Sequence, residues 1–427
     1  MSSAALRGRL RGTAAITAAL LGGALVLAAG STAQGLPVHP GPVVAPSRAC
    51  STPAKGTFAC LATFRSQAAA RRAGSPVNTA GRAVRSAGVS PHAVAAPTTG
   101  YGPADIKSIY GLNTALGAGR TVAIVDAYDN PNAEKDLATF RSAYKLPACT
   151  TANGCFRKVN QRGGGTPPEP DAGWGVEIAL DVQAVSAACP LCKIMLVEAD
   201  SADSVDIGLA VNRAVTLGAK IVSNSYGGPE YNGVLADGKS YYSHTGVAMV
   251  VSSGDNGFGG ASFPASWSKA IAVGGTTVTK TSTTWQHTAW QGAGSGCSAW
   301  VAKPTWQKDP NCLMRTTTDV SALADPDTGF AVYDTYGLEQ FGITPGWLVV
   351  GGTSLAAPLI SGMIALAGNA ASLGSASYLY AHRSGLRDVV GGNNVTWQDC
   401  GGDYLCNALP GYDGPTGLGT PKGVSAL

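Results

Sequence analysis

The sequence predicts an α/β fold with a central, mostly parallel sheet flanked by helices. Short runs of β-branched and other apolar residues recur along the chain, and segments with helical spacing of apolar residues lie between them. Each run is apolar on both faces, which is typical of strands in a parallel sheet that helices cover on both sides. The predicted strands are 121–126, 193–198, 220–224, 247–252 and 270–273, and the predicted helices are 132–143, 176–188, 205–217 and 234–245.

Several predicted strands end next to polar residues. Asp126, Ser225 and Asp255 each stand just beyond a strand end. In open parallel sheets the functional site lies outside the carboxyl ends of the strands, so we expect these residues to face one region. Residues 276–346 show no clear periodicity and are expected to form loops and short strands.

Residues 1–97 differ in composition from the remainder of the chain. Three arginines precede an apolar stretch that small residues follow, so residues 1–33 are predicted to form a signal peptide. A retained membrane anchor is the alternative, but the apolar run is short for a membrane span. Residues 34–97 are rich in Ala, Gly, Pro, Ser and Arg without hydrophobic periodicity, which predicts a short, basic, poorly ordered pro-segment or an ordinary linker. The mature body is expected to span 98–427.

The net charge of +4 hides an asymmetry between leader and body. Residues 1–97 contain ten Lys or Arg and no acid, so residues 98–427 hold 20 basic residues and all 26 acidic ones. The basic character belongs to the leader, and the charge therefore gives no support to nucleic-acid binding. One hypothesis is that the basic leader rests on the acidic body at neutral pH, inhibits it there, and leaves it in acid.

The ten cysteines fall into five pairs that are close in sequence. An even number in local pairs predicts five disulfides and an oxidising, extracellular location, although spacing alone does not fix the connectivity. Cys189 and Cys192 could instead form a redox or metal motif, but no second Cys-x-x-Cys or His pair stands near them. We expect a secreted monomer without membrane association after signal cleavage. The pairs are Cys50/Cys60, Cys149/Cys155, Cys189/Cys192, Cys297/Cys312 and Cys400/Cys406.

The stretch 351–358 contains the candidate nucleophile, Ser354. An apolar run leads into two glycines, and Ser354 stands at the start of a helix-like segment rich in small residues. A helix N-terminus offers unpaired N–H groups and the positive end of the helix dipole, so a hydroxyl held there could attack beside a site for negative charge. A simple helix-capping role for Thr353 or Ser354 is the alternative.

A serine nucleophile needs a base, and the usual choice, histidine, is poorly supported. Beyond the leader the chain has only His244, His287 and His382, and none stands in the His-Gly-Thr context of a catalytic histidine. Carboxylates are the other choice. Glu177 and Asp181 lie four residues apart, so they share one face of a predicted helix that is too apolar to be a solvated surface helix. Neighbouring buried carboxyl groups are expected to share protons, with at least one pKa raised.

A third acid, Asp255, follows a predicted buried strand in the sequence Ser-Gly-Asp-x-Gly. A turn bracketed by glycines after a strand is a suitable place for a residue that faces a reacting carbonyl group. Asp255 could donate a hydrogen bond there only while it is protonated. An ordinary Asp-Gly turn is the alternative interpretation.

Together, Glu177, Asp181, the motif around Asp255 and the Gly-Thr-Ser-x-Ala-x-Pro motif around Ser354 resemble the sedolisin, or serine-carboxyl peptidase, family. The resemblance runs over nearly all of 98–427 and implies a subtilisin-like three-layer fold. It also implies a secreted endopeptidase that cleaves polypeptides at acidic pH. In that family scheme Ser354 attacks the peptide carbonyl, Glu177 takes its proton, Asp181 orients Glu177, and Asp255 supports the oxyanion.

Two further sites follow from the same resemblance. Ser225, Tyr226 and Gly227 would bind an extended substrate through the backbone, as in strand addition. A Ca²⁺ site near the C-terminus would use two carboxylates and loop carbonyl groups, which suit that ion. Its expected ligands are Asp388, Val389, Leu409, Gly411 and Asp413.

The leader departs from the family pattern, because members usually carry a long folded pro-domain. Residues 34–97 are too short for one. A catalytically silent, secreted binding protein with the same fold is the alternative function, although all four expected catalytic residues are present.

Overall fold

A computed structural model describes residues 46–65 and 94–427. The predicted signal peptide lies outside the described residues, as do 34–45 and 66–93 of the predicted pro-segment. In the described ranges the helices are α1 Pro103–Tyr110, α2 Ala133–Ala143, α3 Ala172–Ala188, α4 Ser204–Thr216, α5 Val234–Tyr241, α6 Thr353–Ala367 and α7 Ser377–Ala381.

The described strands form one large sheet and several small ones. They are β1 Ser47–Arg48, β2 Ala59–Cys60, β3 Thr63–Phe64, β4 Thr121–Ala127, β5 Phe156–Asn160, β6 Lys193–Ala199, β7 Ile221–Asn224, β8 Tyr226–Pro229, β9 Ala248–Ser252, β10 Phe258–Gly260, β11 Ser262–Phe263, β12 Ala270–Lys280, β13 Trp285–Ala289, β14 Ser295–Ala302, β15 Met314–Thr317, β16 Val320–Leu323, β17 Phe330–Asp334, β18 Gly346–Gly351, β19 Leu386–Arg387 and β20 Thr420–Pro421.

The large sheet has the strand order β13-β12-β9-β7-β4-β6-β5, and β16 also pairs with β12. All of its pairings are parallel except the β12–β13 pairing. β4, β7 and β9 are almost entirely buried, as expected for parallel strands covered on both faces. The predicted fold class is therefore confirmed. The five predicted strands and four predicted helices are present, and their ends lie within four residues of the prediction except in β12, which continues to Lys280 beyond the predicted 270–273.

Two long helices, α3 and α6, form the centre of one covering layer. The residues of both helices are buried almost without exception, so neither has the polar face of a surface helix. They approach closely at Gly362, where a Cβ atom would come within 2.7 Å of the Ala188 Cβ. The missing side chain at Gly362 therefore lets the second half of α6 pack closely against the end of α3.

Residues 46–65, here called the strap, differ from the expectation of a poorly ordered pro-segment. β1 pairs with β3 in an antiparallel hairpin, and a disulfide joins Cys50 to Cys60. Phe58, Cys60, Ala62 and Phe64 are buried in the main hydrophobic core. The alternation of buried apolar residues is too short to be recognised as periodicity in the sequence. The strands of the body that pair with β2 and β3, which are β8 and β18, lie far away along the chain.

All five predicted cysteine pairs are disulfides. Within the described ranges, no helix combines the length and hydropathy that a membrane crossing requires.

Candidate active site

α3 carries the two acids that the sequence placed on one helical face. Asp171 caps the helix by accepting a hydrogen bond from the Trp174 N–H at 2.9 Å. Glu177 and Asp181 then lie one turn apart, and neither exposes any surface. The apolar sequence of this segment accounts for their burial, because the helix has no face that could turn to water.

Ser354 is the second residue of α6 and contacts Glu177 directly. Its hydroxyl donates a hydrogen bond to Glu177 Oε2 at 2.8 Å and also lies 3.1 Å from the carbonyl oxygen of Ser225. The close packing of α3 on α6 therefore brings a hydroxyl group and a carboxyl group from distant parts of the sequence into contact.

Pro358 explains part of the Gly-Thr-Ser-x-Ala-x-Pro pattern. It lies inside α6, four residues after Ser354. Because proline has no N–H, the Ser354 carbonyl group lacks its usual intrahelical donor. The Ser225 hydroxyl lies 3.3 Å from that carbonyl oxygen and donates to Asp181 Oδ1 at 2.9 Å. Asp181 is thus linked through Ser225 to the first turn of α6.

Asp255 lies in the turn after β9, against the residues that lead into α6. Its Oδ1 accepts hydrogen bonds from the Thr353 N–H at 2.8 Å and the Thr353 hydroxyl at 2.7 Å. Its Oδ2 is buried without a hydrogen-bond partner among the described residues. Burial raises the pKa of Asp255 to about 7. Below neutral pH the carboxyl group therefore carries a proton, which Oδ2 can donate.

Gly352 allows Asp255 to approach the start of α6. Its φ of 105° is a conformation that residues with a side chain rarely adopt. A Cβ atom at this position would also come within 2.7 Å of Asp255 Oδ2 and 2.0 Å of the carbonyl oxygen of Leu61. The second glycine of the motif is therefore required by both conformation and space.

Asp126, at the end of β4, adds a fourth acid to the site. The sequence placed it beyond a strand but gave it no role. It is fully buried, and neither of its carboxyl oxygens has a partner in the described part of the chain. Burial raises its pKa. Burial, followed by the charge of Asp126, also raises the pKa of both Glu177 and Asp181.

Glu177 is the member of this acid cluster that is best prepared to carry a negative charge. Its Oε2 accepts hydrogen bonds from the N–H groups of Leu61 and Ala62, both at 2.8 Å, in addition to the bond from Ser354. Donors stabilise the ionised form of a carboxyl group, whereas the oxygens of Asp126 have none among the described residues. We infer that the cluster places its first negative charge on Glu177 and retains protons on its neighbours.

The predicted peptide-binding residues lie beside this pair. Tyr226 and Gly227 begin β8, which pairs antiparallel with both β2 of the strap and β11. Ser225 precedes them and contacts both Asp181 and Ser354, as described above. The structure thus brings all seven predicted catalytic and substrate-binding residues to one region.

The three candidate histidines make their hydrogen bonds elsewhere. His244 contacts the Tyr241 carbonyl oxygen, and His382 contacts that of Tyr378. His287 contacts Arg387. Within the described ranges, the side chain that accepts the Ser354 hydroxyl proton in a hydrogen bond is Glu177, as the sequence indicated.

Comparisons with known proteins identify chains of similar sequence and fold. The subtilase family profile matches residues 172–381. Kumamolisin from Bacillus sp. (strain MN-32) is 28% identical over 376 residues, and sedolisin from Pseudomonas sp. (strain 101) is 31% identical over 370. The solved structure of Pseudomonas sedolisin, a serine-carboxyl proteinase complexed with pseudo-iodotyrostatin, is 28% identical and superposes with a TM-score of 0.63, covering 77% of this chain and 97% of that chain. The chain is therefore similar to the sedolisins in sequence and in fold.

These matches confirm the resemblance to the sedolisin family drawn from the sequence, including its subtilisin-like fold. The two curated sedolisin relatives are longer proteins. The alignments cover 78% and 75% of this chain but only 64% of kumamolisin and 60% of sedolisin. The chain therefore spans less than two thirds of the length of these relatives.

The calcium site expected from the sedolisin resemblance has suitable chemistry. Asp413 is buried, and its Oδ2 has no partner among the described residues. Burial raises its pKa to about 8, and the charge of Asp388 adds to the rise, so two carboxyl groups lie near each other. The carbonyl oxygens of Val389, Leu409 and Gly411 accept no hydrogen bond within the described part of the chain. These residues fit an oxygen-ligated cation.

Proposed function

We propose that this chain is a serine-carboxyl endopeptidase that hydrolyses polypeptides through an acyl-enzyme on Ser354. The observation that carries the proposal is the 2.8 Å hydrogen bond from the Ser354 hydroxyl to Glu177 Oε2 inside a buried acid cluster. A nucleophile in contact with a base, at a helix N-terminus and near a further donor, is the arrangement that acyl transfer requires.

In the first step Ser354 Oγ attacks the carbonyl carbon of the substrate and transfers its proton to Glu177 Oε2. The C–N bond then breaks as Glu177 returns this proton to the leaving amine. Water repeats the sequence on the acyl-enzyme, with Glu177 first as base and then as acid. Asp181 acts as a positioning residue, since it holds Ser225 against the start of α6 and retains a proton beside Glu177.

The negative charge that develops on the carbonyl oxygen needs donors that are already in place. Asp255 Oδ2 supplies one while it is protonated, and the N-terminal turn of α6 adds the positive end of the helix dipole. Since the pKa of Asp255 is raised to about 7, this donor is present in acid and is lost above neutral pH. We therefore propose that the enzyme acts at acidic pH.

The substrate is a polypeptide in an extended conformation. Tyr226 and Gly227 of β8 pair with Cys60 and Ala59 of the strap, and an extended substrate would add to the same edge of β8 in place of the strap. A catalytically silent protein would not need to keep a hydroxyl, a base and an oxyanion donor together, so the intact site favours the enzyme.

Calcium, secretion and assembly belong to the same proposal. Asp388, Asp413 and the three neighbouring carbonyl groups would hold Ca²⁺, whose role here is to stabilise the C-terminal segment. Five disulfides suit an extracellular protein exported through the predicted signal peptide, residues 1–33. The mature protein would be a monomer.

The test is digestion of a denatured protein between pH 3 and 8. Because the strap pairs with β8, we would compare the full chain with a chain severed by a sequence-specific protease within residues 66–93. Wild type, Ser354→Ala and Glu177→Gln are the variants, and Ser361→Ala on the same buried helix is the matched control. We expect acid-dependent cleavage that only the first two substitutions abolish. If neither the full chain nor the severed chain showed Ser354-dependent cleavage at any pH, the proposal that the chain is an enzyme would be refuted.

A further inference from the structure

A second cavity lies away from the catalytic groups, between the loop before β15, helix α7 and the C-terminal segment. Its volume is about 330 Å³, which is within the range of sites that bind small molecules. In the described part of the chain, no residue that lines it makes a side-chain hydrogen bond to Ser354, Glu177, Asp181 or Asp255. The proposed peptidase mechanism therefore does not use this cavity.

Four aromatic side chains line the cavity, here called the aromatic pocket: Trp306, Tyr380, Tyr404 and Tyr412. Their rings follow one another in a row. The centroids of Trp306 and Tyr380 are 4.6 Å apart, and the Tyr412 ring lies 6.2 Å from Tyr380 and 6.1 Å from Tyr404. Such rings offer large, rigid apolar faces on which a flat ligand can lie.

The rings of the aromatic pocket are fixed before any ligand arrives. The hydroxyl of each tyrosine donates a hydrogen bond to an acceptor inside the fold: Tyr380 to Asp319 Oδ1 at 3.2 Å, Tyr404 to Asp309 Oδ2 at 3.0 Å, and Tyr412 to the Thr318 carbonyl oxygen at 3.0 Å. The buried guanidinium group of Arg315 lies 5.2 Å from the centre of the Trp306 ring. A preformed pocket loses little conformational entropy when a ligand binds.

Asp309 gives the wall of the aromatic pocket an unused acceptor. Its side chain is only 1% exposed. Its Oδ2 accepts hydrogen bonds from Lys303 Nζ at 2.9 Å and the Thr316 hydroxyl at 2.7 Å, in addition to the bond from Tyr404. Its Oδ1 is buried and has no donor among the described residues. Because a buried acceptor without a donor costs free energy, a ligand hydroxyl that donates to Oδ1 would be favoured.

Two cations at the rim give the aromatic pocket a preference for negative charge. Lys308 and Arg383 both line the cavity and are exposed. Within the described ranges neither forms an ion pair, whereas the other nearby cations, Lys303 and Arg315, are each paired with an aspartate. A guanidinium group presents its donors in the geometry that a carboxylate needs.

We propose that the aromatic pocket binds an acidic sugar residue, which is a pyranose ring that carries a carboxylate, within a polysaccharide. The C–H groups of the sugar ring lie on the aromatic wall, a sugar hydroxyl donates to Asp309 Oδ1, and the carboxylate contacts Lys308 and Arg383. An apolar ligand would leave Asp309 without a donor, and a neutral sugar would leave both cations without a partner. The site anchors the chain to an acidic polysaccharide and does not depend on hydrolysis at Ser354.

Calorimetric titration of the full chain tests this assignment. The protein carries Ser354→Ala, and Ca²⁺ is held constant because Tyr412 lies between two of the expected calcium ligands. The ligands are a tetrasaccharide of glucuronic acid, its neutral counterpart cellotetraose, and tetraglutamate, which has the same charge but no sugar ring. We expect the acidic tetrasaccharide to bind at least about fivefold more tightly than either of the others, and less tightly as salt is added. Failure of the acidic tetrasaccharide to bind, or equal affinity for one of the other two ligands, would overturn the proposal.

Variants of exposed residues test the charged rim without disturbing the core. The combined substitution Lys308→Gln and Arg383→Gln should weaken binding of the acidic tetrasaccharide at least about fivefold and leave binding of cellotetraose unchanged. Lys107→Gln combined with Arg157→Gln, which removes one exposed lysine and one exposed arginine elsewhere, is the matched control and should bind like the parent protein. Equal affinity in the two double variants would contradict the role of the rim.

Tryptophan fluorescence locates the bound sugar. Binding of the acidic tetrasaccharide should change the emission of the protein, and Trp306→Phe should remove this change while keeping an aromatic ring in the wall. Trp397→Phe, at an exposed position, is the control and should retain the change. A change that persists in Trp306→Phe would show that the sugar binds elsewhere and would overturn the assignment to the aromatic pocket.

Discussion

The hydroxyl of Ser354 and Oε2 of Glu177 lie 2.8 Å apart, on two buried helices that are 177 residues apart in sequence. The two helices pack against each other and also approach closely farther along, at Gly362 and Ala188. In the proposed mechanism this carboxyl group, which has no exposed surface, takes the role that a histidine has in a Ser-His-Asp triad.

Replacement of the base tests that contact. Glu177→Gln keeps the size of the side chain but cannot accept the proton of Ser354, so we expect kcat/KM to fall by about 10² to 10⁴ at every pH. Steady-state peptide hydrolysis measures the effect. Glu339→Gln, at an exposed position, is the control and should behave like wild type. A Glu177→Gln enzyme within threefold of wild type would rule out Glu177 as the base.

The oxyanion donor should determine the neutral limb of the pH profile. Asp255 donates only when protonated, and because burial raises its pKa to about 7, activity should fall as pH rises through 7. Asp255→Asn donates at every pH, so the neutral limb should disappear or move upward. Asp255→Ala has no donor at this position, so its kcat at acidic pH should be lower than that of wild type by a factor of about 10² to 10³. A neutral limb that is identical in wild type and Asp255→Asn would show that another group causes it.

Stability should decrease from acid to neutral pH. The raised pKa values mean that the folded chain binds more protons than the unfolded chain between about pH 4 and 7, so the free energy of unfolding falls as pH rises through this window. We expect a loss of at least about 2 kcal/mol in urea unfolding of Ser354→Ala, measured with calcium at both ends. Outside the proposed calcium site, the buried acids with raised pKa in the described part of the chain are Asp126, Asp136, Glu177, Asp181, Glu198, Asp255 and Asp334.

Asp126→Asn provides the matched variant for that measurement. It removes a buried acid whose oxygens have no donors among the described residues and whose charge raises the pKa of Glu177 and Asp181. We expect the loss of stability between pH 4.5 and 7.5 to become smaller, whereas Asp203→Asn at an exposed position should leave it unchanged. An equal loss in wild type and Asp126→Asn would show that Asp126 is not part of the acid cluster.

Calcium should stabilise the folded chain. At a free concentration about 100 times its Kd, a bound ion adds about 2.7 kcal/mol to the free energy of unfolding. Chelation should therefore lower Tm, and added Ca²⁺ should restore it. Asp413→Asn should remove most of this response, while Asp399→Asn on the exposed loop nearby should retain it. If the wild-type protein had the same Tm with chelator and with Ca²⁺, the proposed calcium site would be ruled out.

The strands and helices of the body follow from local patterns, which is why the sequence located them well. Runs such as 121–126 are apolar on both faces, and α3 is too apolar to lie anywhere but in the core. β5 was missed because Arg157 and Lys158 interrupt its apolar pattern at the edge of the sheet. The sequence predicted its disulfide but not the ordered strap, because two-residue strands have no period and the partners of β2 and β3 in the body are more than a hundred residues away.

The acid cluster was also predicted only in part. Glu177 and Asp181 could be paired from their helical spacing, since both lie on one element. Asp126 joins them through the packing of β4 against α3, a contact between elements that the sequence does not specify. The roles of Pro358 and Ser225 around the Ser354 carbonyl group also depend on a contact between elements. Pro358 leaves this carbonyl group without its intrahelical donor, and the Ser225 hydroxyl lies near it only because β8 is placed beside α6.

The most direct test of the carboxylate-driven serine is capture of the acyl-enzyme. The full chain and the chain severed within residues 66–93 would be mixed with a peptide substrate at acidic pH, quenched, and analysed by mass spectrometry with Ser354→Ala and Glu177→Gln in parallel. We expect the acyl group on Ser354, formed in acid, absent from Ser354→Ala and formed far more slowly in Glu177→Gln. An acyl group on another residue, or one that forms on Ser354 at an unchanged rate without Glu177, would contradict this mechanism.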